Sequence, residues 1–306
     1  MDFEQLRAFI NVALYKSFSV AAEKMFISQP SVSMRIKALE DELGVILFER
    51  SKAREPSLND AGIIFLDFAQ SLVNLEKECR EKLSGQRMVS SGPVYIGAST
   101  VPGTYLLPAL LSQYRSVMPL IDISVNILDT SAILEGILNY SYDFGFVGLK
   151  KNDDRLKFIP VHDDELVLCA PSGTFKLQGY GETVPLEACF EKQFLTREKG
   201  SATRSFFEKE LINSGRRVED FSGLIVFNSL EGIKQSVKNG LGLAVLSKLS
   251  VKDMVAAREV DIYKIEGMNL KRSLYMVYHH NRILGTAAHQ LKDLTITECK
   301  KTEMTN

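Results

Sequence analysis

Hydrophobic positions over the first 58 residues recur at helical spacing and break at tight turns, and "FSVAAEKMFISQPSVSMRIKALEDELG", Phe18 to Gly44, turns such a corner within Met25 to Ser28. Ser19 is read as the N-cap of a helix running to about Phe26, with Ala21, Ala22, Met25 and Phe26 on its apolar side. The next helix starts at Ser28 as N-cap, with Pro30 in the first turn, where a missing N–H costs nothing. Val32, Ile36, Leu39 and Leu43 bury one face of it, and Gly44 stops it. Its other face carries Pro30, Ser33, Met34 and Lys37, flanked by Ser31 and Arg35, and no acid lies between Ser28 and Leu39.

After Gly44, "VILFER" and "SL" read as two short strands joined by "SKAREP", a hairpin carrying Arg50, Lys52 and Arg54. Asn59 then begins a periodic segment to Leu83 in which Ala61, Phe65, Phe68, Leu72, Leu75 and Cys79 step alternately by four and three. That is an a/d seam, which a helix of this length buries against a partner, the alternative being that the stripe packs on its own domain. "SGQRMVSSGP", Ser84 to Pro93, is a polar linker. Beyond it, apolar β-branched runs ("VYIGA", "IDISVNI", "FGFVG") alternate with amphipathic helical stretches, the signature of βαβ units and a mostly parallel sheet. The fold class is therefore α/β behind a helical N-terminal domain.

Three strand-to-helix switches in this region share one form. Ser99 and Thr100 follow "VYIGA"; Ser201 and Thr203 open the helix after "FLTREKG"; Asn228 and Ser229 follow "LIVF". Helix N-termini at the carboxyl ends of strands offer free N–H groups and the positive end of a dipole, which suits a small anion. Arg197 and Arg204 stand near the second switch and either add charge to the site or are solvated surface arginines, the commoner case.

Composition narrows the function. The net charge of -1 over 306 residues gives no global attraction to nucleic acid or membrane, and residues 1–58 hold eight bases and eight acids, so any DNA binding rests on placement. The start lacks a basic n-region and an apolar run, and no uncharged stretch is long enough to span a bilayer, which points to the cytoplasm and no membrane partner. Cys79, Cys169, Cys189 and Cys299 are scattered, and the four histidines lack metal-ligand spacing, with His279 and His280 read as surface at a strand end. No nucleophile elbow, phosphate loop or metal cluster is present, so neither a catalytic site nor a cofactor is expected.

The stretch "LRAFINVALYKSFSVAAEKMFISQPSVSMRIKALEDELGVILFER", continuing to "LNDAG", resembles the N-terminal domain of LysR-type transcriptional regulators. The resemblance implies a winged helix-turn-helix over 1–58 whose Gln29, Pro30, Ser31, Ser33, Arg35 and Lys37 face DNA, with Arg50 and Arg54 near phosphates. It implies a dimerising linker helix over 59–83 (Phe65, Phe68, Leu72, Leu75), a hinge at 84–91 and an effector-binding domain over 92–300. That domain would consist of two Rossmann-like subdomains resembling periplasmic binding proteins, one about 92–161 and 268–300, the other about 162–267. Ser99, Thr100, Thr130, Ser201 and Thr203 would line the cleft between them. The implied partners are double-stranded promoter DNA, further copies of the chain as dimer or tetramer, and RNA polymerase. The wing is about one residue longer than the family's, and Asn59 stands where threonine is usual, but Asn caps a helix equally well. "GASTVPGTYLLP" is similar to the branch associated with cysteine, sulfur and selenium metabolism, for which sulfate, an acetylated serine or another small anion would be the effector. The alternative is a small-molecule-binding α/β protein or enzyme with no role on DNA, and a steep salt dependence of DNA affinity separates the two.

Overall fold

The computed structural model describes residues 1–49, 55–83, 94–119, 121–282 and 284–303. The chain divides into two compact units, one of residues 1–93 with 279–290, the other of 94–278 with 291–306. The sequence reading keeps 279–290 with the second. Arg50, Lys52, Arg54 and the hinge at 84–91 lie outside the described residues.

In the first unit, α1 (Phe3–Tyr15), α2 (Phe18–Met25) and α3 (Gln29–Leu43) surround a core of Leu6, Phe9, Val12, Ala21, Val32, Ile36 and Leu39. Each large apolar side chain fully withdrawn from water here contributes about 1.5–3 kcal/mol. Asp2 and Gln5 form a reciprocal capping box that starts α1. The cap of α2 is Ser17, not Ser19: Lys16 turns left-handed, Ser17 is extended, and its hydroxyl accepts from the Val20 N–H. Phe26 likewise leaves the apolar face assigned to it. It ends α2 with φ 56°, its N–H donating back to the Ala22 and Glu23 carbonyls, and the residue is 95% exposed. Ser28 caps α3 as expected, accepting from the Ser31 N–H, and Gly44 closes the helix at φ 69°.

Among the described residues, the expected strand pair shows one antiparallel bridge, Phe48 to Leu58, with the Glu49 N–H donating to the Ser57 carbonyl at 2.8 Å. Asn59 then caps α4 (Asp60–Leu83) by accepting from the Gly62 N–H at 2.9 Å, while its amide donates to the Ile46 carbonyl at 2.8 Å. Gly62 permits the close crossing of helix and strand, since a β-carbon there would lie 2.1 Å from the Leu47 carbonyl oxygen.

The second unit is built on β1 (Val94–Ser99), α5 (Leu107–Val117), β2 (Ile123–Leu128), α6 (Thr130–Leu138), β3 (Phe144–Val147) and the long β4 (Leu156–Pro171). It continues through β5 (Thr183–Val184), α7 (Glu187–Phe190), β6 (Gln193–Arg197), α8 (Ala202–Asn213), β7 (Gly223–Phe227) and α9 (Leu230–Lys238). Last come β8 (Leu243–Ser247), α10 (Lys248–Ala256), β9 (Val260–Ile265) and β10 (Lys271–His279), whose final residue falls to the first unit, while α11 (Thr286–Glu303) is divided between the units after Gln290. The strand order is β2-β1-β3-β10-β4-β8-β6-β7, with β9 beside β4 and β5 beside β9. β1 runs parallel to β2 and β3, and β6 parallel to β7 and β8; between these groups β10 is antiparallel to β3, and β4 to β8. Two parallel α/β halves are thus joined by β10 and β4. The inner strands β3 and β8 are buried along their whole length, which is why they read as unbroken apolar runs. One apolar core lies among α8, β4 and β8 (Phe207, Leu211, Leu166, Val245), and another under α9 and α10 (Ile233, Val237, Val251, Met254).

Candidate functional site

On α3 the exposed face carries Gln29, Pro30, Met34 and Lys37, with Ser31, Ser33 and Arg35 half-buried beside them. The Gln29 amide donates to the Ser33 hydroxyl at 3.1 Å, and the Ser31 hydroxyl bonds that of Ser28 at 2.8 Å. These short polar groups leave the helix backbone accessible, as entry into a major groove requires. Arg35 is not a free cation: its guanidinium meets Glu4 of α1 at 2.8 Å. Lys37 is exposed and forms no ion pair among the described residues.

The seam of α4 divides in two. Ala61 and Phe65 pack on the core of their own unit, the half-buried Phe65 lying 5.2 Å from the Phe9 ring. Leu66, Ala69 and Val73 share that face, and Arg7 of α1 pairs with Glu76 at 3.2 Å. Phe68 (63% exposed), Leu72 and Leu75 project from the other face together with Ile64. A stripe of large apolar side chains in water is the mark of an unfilled interface.

The second unit brings the predicted switch residues together. Ser99 ends β1, one residue later than the sequence suggests, and Thr100 and Val101 lead into a π-helical turn, Pro102–Leu106, before α5. π-turns of this kind concentrate at functional sites. Asp129 caps α6 by accepting from the Ala132 N–H at 3.0 Å, which presents Thr130 at the first helical position. Ser201 is the extended residue before α8 but makes no capping hydrogen bond, and Thr203 follows in the first turn. Ser99, Thr100, Thr130, Ser201 and Thr203 line one small cavity of about 20 Å³. The third switch does not join them, because Ser229 spends its hydroxyl on the Gly232 N–H as the N-cap of α9.

Two arginines, Arg197 and Arg272, complete the wall. Arg197 is buried, correcting the surface reading; it binds Glu198 through two nitrogens at 2.7 and 2.8 Å and reaches the Thr100 hydroxyl at 3.4 Å. Arg204 is also largely buried, donating to the Arg197 carbonyl at 2.9 Å and to Glu208 at 2.7 Å. Arg272 is the residue that sequence reasoning missed. It occupies an inward position of β10, in register with buried Leu274 and Met276, an anomaly in the alternation that could have flagged it. Its Nε donates to Asp164 Oδ2 at 2.9 Å, its Nη2 forms an ion pair with the same oxygen at 2.9 Å, and the Ser247 hydroxyl donates to Oδ1 at 2.7 Å. Burial pulls the guanidinium below its ordinary pKa against the opposing pull of Asp164. Gly148 leaves room for it, since a β-carbon there would lie 3.4 Å from Arg272 Nη1 and 3.2 Å from the Ala202 methyl.

Among the described residues, Arg272 Nη1 and Thr130 Oγ1 are buried without a hydrogen-bond partner. Leaving such a group unpaired costs about 1–3 kcal/mol, so both favour a ligand or water that supplies the missing bond. No group of described histidines, cysteines or carboxylates is arranged to hold a metal ion. Burial pushes the Cys169 and Cys189 thiols up to about 12, marking them as inert core residues. His279 is fully buried at the end of β10, contrary to the surface reading.

Residues 89–300 match the family model of the LysR substrate binding domain, and residues 3–63 that of the bacterial regulatory helix-turn-helix protein, lysR family. The chain belongs to the LysR family of transcriptional regulators. It is 32% identical over 300 residues to the HTH-type transcriptional regulator CysL of Bacillus subtilis, covering 98% of this chain and 97% of that one. A full-length OxyR variant from Pseudomonas aeruginosa shares its fold at TM-score 0.72 and 22% identity, over 98% and 95% of the two chains. The effector binding domain of QuiR in complex with shikimate matches at TM-score 0.61 and 18% identity, over 69% of this chain and 99% of that domain. This LysR-type protein is a DNA-binding regulator with an effector-binding domain, not an enzyme. No described helix is long and apolar enough to cross a membrane.

Proposed function

We propose that the chain is a ligand-biased switch in which a small anionic effector enters the cleft at Ser99, Thr100, Thr130, Ser201 and Thr203 and alters operator binding by α3. The carrying observation is the pair of buried, unpartnered polar atoms, Arg272 Nη1 and Thr130 Oγ1, on one cavity wall. Arg197 and Arg272 are already neutralised by Glu198 and Asp164, so affinity for an anion comes from hydroxyls, one spare guanidinium N–H and helix N-termini. Shikimate in QuiR is an effector of this chemical kind. At about 20 Å³ the cavity holds one water molecule, so an organic effector binds a more open arrangement of its walls. Effector binding then favours that arrangement by its differential affinity, typically about 1–3 kcal/mol.

On DNA, Gln29, Pro30, Ser31, Ser33 and Lys37 read the groove and Arg35 reaches it once released from Glu4; Arg50 and Arg54 contact phosphates from the wing. Phe68, Leu72 and Leu75 dimerise the linker helix, so two recognition helices address an inverted repeat. Apolar Ile127 and Leu128 on the outer strand β2, with Leu224 and Val226 on the outer strand β7, support further self-association. Cytoplasmic location and contact with RNA polymerase belong to this reading.

Titrating wild type, Arg35→Ala and Thr100→Val/Thr203→Val with an operator fragment and with small carboxylates, sulfate and O-acetylserine tests the division of labour. Arg35→Ala loses DNA affinity and keeps effector affinity; the threonine pair does the reverse. Exchanged losses, or none, would sink the assignment.

A further inference from the structure

A second and far larger cavity, about 1070 Å³, opens beside the small cleft and shares Gly148 and Arg272 with it. Five lysines from four separate parts of the unit surround it: Lys150 after β3, Lys209 on α8, Lys248 and Lys252 one turn apart on α10, and Lys271 on β10. Among the described residues, Lys209, Lys252 and Lys271 donate no side-chain hydrogen bond and form no ion pair. Lys150 sits 4.6 Å over the Tyr275 ring, and Lys248 reaches Glu165 only at 3.5 Å. The acids of the wall are largely occupied: Asp164 by Arg272 and Ser247, Asp163 by the Ser273 hydroxyl at 3.1 Å.

Six cations against three carboxylates thus line one cavity in a chain whose net charge is -1. Such an excess on low-dielectric walls concentrates the positive potential inside the cavity. The N-terminus of α10 adds to it, because Lys248 and Leu249 open that helix on the cavity wall and Ser247 makes no capping hydrogen bond. Phe206, Leu249, Ile262 and Tyr275 supply apolar surface between the charges. Lysine ammonium groups act as point charges suited to phosphate, whereas planar carboxylate recognition favours the arginine fork. The volume is of the size that encloses a whole organic molecule.

We propose that this cavity is a second ligand site, for a small organic molecule bearing two or more phosphate groups. It rests on the preceding reading only for its consequence: Arg272 stands in the walls of both cavities, held by Asp164 of the larger one, so occupancy of one alters the other.

The test is calorimetric titration of the full-length protein with ADP, inorganic pyrophosphate and adenosine at low and moderate salt. ADP and pyrophosphate bind and adenosine does not, with affinity falling as salt rises. Lys209→Gln/Lys252→Gln/Lys271→Gln weakens ADP binding by roughly tenfold or more, as loss of several charge-assisted contacts requires. The charge-matched control Lys16→Gln/Lys24→Gln/Lys157→Gln, none of which lines the cavity, binds ADP as wild type does. Thr100→Val/Thr203→Val also retains ADP, which separates this site from the small cleft, so failure of the effector reading leaves this result standing. The proposal is overturned if neither phosphate compound binds at about 1 mM, if the cavity variant binds as wild type does, or if the control loses affinity equally.

Discussion

Replacing Arg272 with methionine removes the partner of a fully buried carboxylate. Asp164 is 0% exposed at its side chain and Arg272 3%; one N–H donor and one ion-pair contact, both at 2.9 Å, hold the carboxylate, and among the described residues only the Ser247 hydroxyl meets its other oxygen. Breaking a buried pair from one side typically costs about 3–5 kcal/mol, because the surviving charge stays desolvated. Arg272→Met should therefore destabilise the effector-binding unit by about that amount, and the double variant Asp164→Asn/Arg272→Met should recover part of it. Arg272→Lys separates two roles: it keeps a cation for Asp164, restoring most of the stability, but gives up the fixed fork that leaves Nη1 for the effector. The assay is hydrogen exchange of the β4, β8 and β10 amides over a urea series at fixed protein concentration, since a two-unit, self-associating chain has no single unfolding free energy. Each variant is also titrated with small carboxylates. A loss below about 1 kcal/mol for Arg272→Met, within the range of an exposed pair, would refute the claim that this ion pair is desolvated. Unchanged effector affinity in Arg272→Lys would refute the role of its third nitrogen.

Three further outcomes follow from the geometry. Asn59→Ala removes both the α4 cap and the bond to the Ile46 carbonyl, and should lower the stability of the DNA-binding unit by about 1–2 kcal/mol in urea unfolding. Glu4→Gln frees Arg35 from its carboxylate partner and should tighten DNA binding a few-fold at low salt, measured by fluorescence anisotropy, with the gain vanishing as salt rises. In a Cys79→Ser/Cys299→Ser background, the native protein should take up no thiol reagent at pH 8, because burial holds Cys169 and Cys189 at about 12; labelling should appear only on unfolding.

Much of this molecule was legible because local rules and tertiary packing agree. The α3 start at Ser28, its stop at Gly44 and its buried stripe all follow from capping and spacing, and the buried strands announce themselves as apolar runs. Ser17 was hidden behind Ser19 because two serines flank Phe18, and the choice depended on the left-handed turn at Lys16. Phe26 looked like core by spacing, but the helix ends one residue too early to bury it. Phe65 lies on a valid heptad, yet the same helix also packs on α1, and periodicity cannot assign a face to one partner when two are available. Cleft hydroxyls are accessible in the sequence from two of the three switch points, with Thr130 added by the family resemblance, whereas Arg272 and Asp164 are not: they meet across 108 residues on neighbouring strands of the sheet, and no local signal pairs them.

The most direct test of the regulator role is to retain sheared genomic DNA from the source organism on purified wild-type protein and on Lys37→Ala, and to sequence what each holds at two salt concentrations. Wild type should sharply enrich an inverted repeat, and Lys37→Ala should enrich it less, with a salt slope shallower by about one unit. Enrichment without sequence preference, or equal for both proteins with and without small carboxylates present, would contradict that role.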